Sequence, residues 1–160
     1  MNKAYLLIGG NQGNRKEFLR AARNETEAAC GTVVQQSSLY ETAAWGLEDQ
    51  PTFLNQALAV ETALTAEELL KRILQIEEKL GRVREVKYGP RVIDIDILFF
   101  NTAILHQQNL VIPHPQLQNR RFVLVPLNEI APHFLHPVFQ KTVAQLLAEC
   151  PDPLDVQKIS

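Results

Sequence analysis

Short apolar runs and amphipathic stretches follow one another along this chain, and their periods separate strands from helices. Residues 4–8 form a continuous apolar run stopped by Gly9 and Gly10, the pattern of a buried strand. Asn14 is placed to cap a helix beginning near Arg15, with Phe18, Leu19, Ala22 and Ala29 on its inner side and Gly31 at its end. Residues 32–42 and Phe53–Thr62, rich in Val, Leu, Tyr and Thr, read as strands. The loop over 43–52 between them carries Gly46 and Pro51. Thr65 and Glu68 spell a capping box before Leu69, Leu70, Ile73, Ile76 and Leu80, with Gly81 at the C-terminal position of that helix. Residues 92–100 read as another strand, and Thr142 with Gln145 opens a last helix running toward Pro151. Pro113, Pro115, Pro126, Pro132 and Pro137 lead to the expectation of a mostly irregular C-terminal part.

The order strand, helix, strand, strand, helix, strand is the split βαβ pattern. It predicts an α+β fold with a ferredoxin-like core: a mostly antiparallel sheet with helices packed against it. With no repeat or low-complexity linker, residues 1–160 are expected to form a single domain. Composition narrows the partners. Sixteen Lys and Arg against eighteen Asp and Glu give a net charge of -2, which excludes a general nucleic-acid binder. No apolar stretch approaches the roughly 20 residues a membrane span needs. Cys30 and Cys150 make neither a disulfide framework nor a zinc site, so free thiols in a reducing cytoplasm are expected.

The chemistry concentrates around Asp94 and Asp96. Asp is disfavoured in strands, yet both lie in a run otherwise built of Val, Ile, Leu and Phe. Alternation puts the two acids on one face and Ile93, Ile95, Ile97 and Phe99 on the other. Two residues along a strand span roughly 6.6 Å, so the carboxylates can converge on one cation. Without neighbouring Cys or His, that cation is a hard ion such as magnesium, and a pair of ions would clamp a polyphosphate. A solvated polar face explains an isolated Asp-x-Asp equally well. The preceding Arg82, Arg84, Lys87 and Arg91, around Tyr88-Gly89-Pro90, change the balance toward a phosphate-binding loop. His114, fixed between two prolines, and Arg120 extend the cationic set, with Arg121 a surface neighbour. His106, His133 and His136 read as solvated. Asn11, in the turn after the first strand, is a further candidate. Trp45, Phe53, Asn55 and Phe122 supply rings and an amide for a flat polar heterocycle.

The string from Lys87 to Leu98, Lys-Tyr-Gly-Pro-Arg-Val-Ile-Asp-Ile-Asp-Ile-Leu, closely resembles the signature of the 6-hydroxymethyl-7,8-dihydropterin pyrophosphokinase family. Gly9-x-Asn11, Tyr40-x-Thr42, Asp49-Gln50-Pro51-x-Phe53-Leu54-Asn55, Glu77, Gly81-Arg82-x-Arg84, Val111-x-Pro113-His114 and Asn119-Arg120-x-Phe122 extend the resemblance over nearly the whole chain. It implies a folate-pathway enzyme that moves pyrophosphate from ATP, its co-substrate, to a hydroxymethyl pterin and releases AMP. The implied catalytic set is Arg82, Arg91, Asp94 and Asp96, with the two acids ligating two magnesium ions. Glu77, Arg84, Tyr88, His114 and Arg120 would join those arginines at ATP, and Thr42, Trp45, Phe53, Asn55, Asp94 and Phe122 would face the pterin. Tyr88 stands where tryptophan is common, Pro115 replaces an aromatic, and Phe53 lacks a tyrosine's hydroxyl. The expected partners are these small molecules, with no nucleic acid and no membrane, for a cytoplasmic monomer. A metal-dependent nucleotidyltransferase and a non-catalytic nucleotide-binding module are the alternatives.

Overall fold

The computed structural model describes residues 1–43, 51–81 and 92–160. A six-stranded antiparallel sheet forms its centre. β1 (Asn2–Gly10) lies between β4 (Phe53–Thr62) and β5 (Asp94–Phe100). Beyond β4 come β2 (Thr32–Gln36) and β3 (Tyr40–Thr42), and β3 pairs outward with β8 (Val156–Lys158). The order β5-β1-β4-β2/β3 is that expected from the split βαβ pattern.

Helices cover both faces. α1 (Arg15–Ala29) and α2 (Ala66–Gly81) close one core, in which Leu6, Ile8, Leu54 and Leu58 meet Leu19, Leu69 and Ile73. α3 (Arg121–Ile130) and α4 (Val143–Ala148) close the other, where Tyr5, Leu7 and Phe99 meet Leu124, Leu127 and Val143. Alternation along each strand sorts side chains between the two cores, and each fully buried Leu or Ile contributes about 1.5–3 kcal/mol.

Local chemistry sets the element ends. The Asn14 side chain accepts from the Glu17 N–H at 3.3 Å, and Thr65 and Glu68 cap α2 reciprocally, at 3.1 and 2.9 Å. Gly81 is the last helical residue of α2 and has no positive φ, so it is not a left-handed cap. Gly31 lets the chain pass directly beneath the Glu61 carbonyl, where any β-carbon would overlap it.

The single strand expected over 32–42 is broken at Ser37. Its N–H keeps a backbone bond to the Ala57 carbonyl at 2.9 Å, but its hydroxyl accepts from the Ala57 N–H at 2.9 Å and its carbonyl from the Gln56 amide at 2.8 Å, so side-chain bonds take over part of the ladder. The C-terminal part is not the irregular segment its prolines imply. β6 (Leu105–Gln107) and β7 (Leu110–Ile112) form a ribbon, and α3 is helical through Pro126. Proline costs that helix one backbone bond, offset by burial of Val123, Leu124, Pro126 and Leu127. α4 begins at the expected Thr142–Gln145 capping box, with bonds of 3.1 and 2.8 Å.

Phe99 departs from simple alternation. Tyr5 pairs with Phe99 and Leu6 with Ile97, so Leu98 is an extra residue in β5, a β-bulge. Leu98 and Phe99 therefore both enter the core that holds α3, on the same face as the two acids. Phe99 packs there against Phe134, with ring centroids 4.5 Å apart. His136, expected in solvent, is only 3% exposed in the same cluster and stacks on Phe139 at 4.4 Å. Its Nδ1 accepts from the backbone N–H groups of Val138 and Phe139, both at 3.1 Å, so the ring staples its own loop.

Among the described residues, no helix is long and apolar enough to cross a membrane. Both cysteines are free thiols; burial pushes Cys30 up to about 11.

Candidate functional site

Four strands, β1, β3, β4 and β5, and the start of α3 enclose a cavity of about 520 Å³. Its floor is one register row of the sheet: Asp94 pairs with Gly9, and Gly9 pairs on its other side with Asn55. Adjacent strands lie about 4.8 Å apart, so an acid and an amide flank a bare glycine at a separation of roughly 10 Å. Gly9 has a steric reason to be glycine. A β-carbon there would overlap the Asn55 Oδ1 and lie 3.1 Å from the Leu54 carbonyl oxygen.

Thr42, Phe53, Asn55, Asp94, Asp96, Arg120 and Phe122 all line this cavity, with Leu7, Ala43, Gln116, Asn119, Asp152 and Leu154. Asp94 and Asp96 stand on the same side of β5, half-buried, between Ile93, Ile95 and Ile97 in the opposite core. Thr42 and Phe53 are directly paired across β3 and β4. The Thr42 hydroxyl is buried with no hydrogen-bond partner among the described residues. An orphan buried hydroxyl at a cavity wall marks a place where a ligand can supply the missing bond, worth about 1–3 kcal/mol if left unmade. Arg120 and Phe122 sit on either side of the first residue of α3, and the guanidinium lies 5.8 Å from the Phe122 ring centre.

Glu77 and His114 are not among the cavity-lining residues. The Glu77 carboxylate accepts from the Ile95 N–H at 2.7 Å, so it grips the outer edge of β5 between the two acids. His114 is half-buried and anchored by its backbone: its N–H donates to the Leu98 carbonyl at 3.0 Å. Its Nδ1 accepts from the Gln116 N–H at 3.1 Å. Burial, and then the nearby Arg120 charge, hold this imidazole below its ordinary pKa, so it is neutral near pH 7. Asn11 is also buried and outside the cavity, its amide donating to the Pro51 carbonyl at 3.3 Å. Trp45, Arg82, Arg84, Lys87, Tyr88 and Arg91 lie outside the described residues.

The acid pair fits a magnesium-type ion by its donor chemistry. Among the described residues no three His, Cys, Asp or Glu side chains gather as a complete metal cage. Two carboxylates at an open cavity are what such an ion uses when substrate phosphates and water complete its shell. Asp152 escaped the reading of the sequence. It is 7% exposed, lines the cavity, and accepts two backbone N–H groups, from Arg121 and Leu154, each at 3.0 Å.

Fold and cavity together define an α+β protein of ferredoxin-like topology in which a carboxylate pair, an amide and two phenylalanines line one cavity. A family model described as 7,8-dihydro-6-hydroxymethylpterin-pyrophosphokinase (HPPK) matches residues 5–132. A 2-amino-4-hydroxy-6-hydroxymethyldihydropteridine pyrophosphokinase of Methylorubrum extorquens is 44% identical over 160 residues, covering 99% of each chain. The protein of that name from Bacillus subtilis is 47% identical over 130 residues, 81% of this chain and 78% of the relative. The crystal structure of Plasmodium falciparum HPPK-DHPS with SDX-DHP superposes with a TM-score of 0.74 at 21% identity. That match covers 93% of this chain and 43% of the Plasmodium chain, and speaks for the fold alone. The chain belongs to the 7,8-dihydro-6-hydroxymethylpterin-pyrophosphokinase family.

Proposed function

We infer that this chain transfers pyrophosphate from ATP to the hydroxymethyl group of 6-hydroxymethyl-7,8-dihydropterin, releasing AMP. Family membership supports the reaction, and the single observation that carries it to these residues is the shared cavity. It joins an acid pair to a buried amide, a hydroxyl with no partner among the described residues, and two phenylalanines.

The pterin sits between Phe53 and Phe122, with its polar edge on Asn55 and Thr42 and its hydroxymethyl group directed toward Asp94. Gly9 keeps the floor clear between amide and acid. Asp94 and Asp96 hold two magnesium ions, which supply charge neutralisation for the transferring group. Arg120 faces the phosphates from the α3 side, and His114 supports it as a neutral ring. Glu77 contributes on the ATP side while fixing the acid strand through the Ile95 N–H. Arg82, Arg84, Tyr88 and Arg91 complete the ATP site and Trp45 the pterin site. No side chain forms a covalent intermediate; catalysis rests on positioning and on charge placed where the transition state develops it.

The test is the product. Purified protein with ATP, magnesium and the hydroxymethyl dihydropterin is expected to yield AMP and the pterin diphosphate in equal amounts. Release of pyrophosphate would make the protein a nucleotidyltransferase instead, and nucleotide binding without turnover would make it a binding module.

A further inference from the structure

We propose that Asp152 is a positioning residue for the pterin site, acting through the N-terminus of α3. This inference rests on the assignment of Phe122 to the pterin given above. Asp152 lies between Pro151 and Pro153, which restrict the backbone on either side of it. That stiff segment delivers a carboxylate, 7% exposed, to a helix start 31 residues away in sequence.

Arg121 is the first residue of α3, and its N–H has no acceptor within the helix. The N-cap residue, Arg120, provides no side-chain cap. Asp152 Oδ2 takes that N–H at 3.0 Å, doing from a distant segment what a local Ser or Asp usually does, with charge suited to the positive end of the helix. The residues on either side of the bond, Arg120 and Phe122, both line the cavity. Oδ1 of the same carboxylate accepts from Leu154 N–H at 3.0 Å, turning the chain toward β8. β8 pairs Val156 with Thr42, itself paired with Phe53. One buried carboxylate thus ties the Phe122 wall of the cavity to the strands carrying Thr42 and Phe53. Its two oxygens set the spacing of the walls that would hold the ring.

A double-mutant cycle in the full chain tests this, using Asp152→Ala, Phe122→Ala and the pair. The readouts are KM for the hydroxymethyl dihydropterin at saturating ATP, kcat, and equilibrium pterin binding by fluorescence. Asp152→Ala is expected to raise the pterin KM about tenfold, and the pair to be no worse than about twofold beyond the larger single effect, because both changes remove the same wall. Unaltered pterin KM in folded Asp152→Ala, or effects that multiply fully in the pair, would overturn the proposal. If Phe122→Ala alone leaves pterin binding intact, the assignment of Phe122 fails, a different outcome from failure of the Asp152 role. Asp152→Asn, which keeps one acceptor oxygen, carries the same cycle with a smaller expected KM rise should the alanine variant not fold.

Discussion

Adding one methyl group at Gly9 probes the floor of the cavity from beneath. The β-carbon of Gly9→Ala would overlap Asn55 Oδ1, approach Asn55 Cγ to 3.1 Å and meet the Leu54 carbonyl oxygen at 3.1 Å. The backbone is held on both sides by β4 and β5, so the Asn55 side chain is what must move. Overpacking of this kind costs about 1–3 kcal/mol of stability, which a domain of ordinary stability survives. The functional effect is sharper. A displaced amide forfeits about two hydrogen bonds to the pterin edge, each worth about 1–1.5 kcal/mol. The sum, about 2–3 kcal/mol, corresponds to roughly 30- to 150-fold weaker pterin binding. ATP affinity should change less, since the side chain displaced is Asn55, on the opposite side of Gly9 from Asp94. Fluorescence titration of the pterin, with calorimetry for a non-hydrolysable ATP analogue, measures both. Asn55→Ala should weaken pterin binding comparably, and adding Gly9→Ala to it should do little more. A folded Gly9→Ala protein binding pterin within twofold of wild type would refute this reading of the floor.

Three further expectations concern groups that hold the site's surroundings. Tyr40 donates to Glu129 at 2.6 Å, joining β3 to α3, and Tyr40→Phe should cost about 1–2 kcal/mol, lowering Tm by about 2–8 °C in a thermal melt. Burial and that carboxylate push the Tyr40 hydroxyl up to about 12, so an ultraviolet titration should show a tyrosine ionisation well above the usual range that Tyr40→Phe removes. Because the folded value is the raised one, the Tyr40 contribution is complete below about pH 10 and is lost as pH rises through 12. Burial lowers the pKa of His136, so below about pH 6.5 the unfolded chain gains a proton that the folded one resists. Stability should therefore fall from pH 7 to pH 5, and His136→Asn should flatten that slope in melts; an identical slope would count against a neutral His136.

Elements governed by local chemistry could be read from the sequence. The Thr65–Glu68 and Thr142–Gln145 boxes stand where they were expected, and alternation correctly placed Asp94 and Asp96 together on one face. The features that escaped depend on partners far away in the chain. The bulge at Leu98 follows from how β5 meets β1, and it sends Phe99 to the face that strict alternation denies it. α3 was hidden because Pro126 reads as a breaker, whereas burial of its apolar face outweighs one lost backbone bond. His136 read as solvated because its ring partners, Phe99 and Phe139, are assembled by the fold. Asp152 carried no motif at all: its role is a bond to Arg121, and only the folded chain brings them together. Within the cavity, Asn55 was legible because an amide in a buried strand calls for a reason, and Gly9 was not, since a glycine ending an apolar run looks like any turn.

We infer that Asp94 and Asp96 would hold divalent ions against a polyphosphate at this cavity. Manganese is a spectroscopic substitute for magnesium, and electron paramagnetic resonance counts the ions bound when a non-hydrolysable ATP analogue is present. Wild-type protein is expected to bind two ions with the analogue, and Asp96→Ala to lose at least one of them while its far-ultraviolet circular dichroism stays native. Full ion occupancy in the folded Asp96→Ala protein would contradict the assignment.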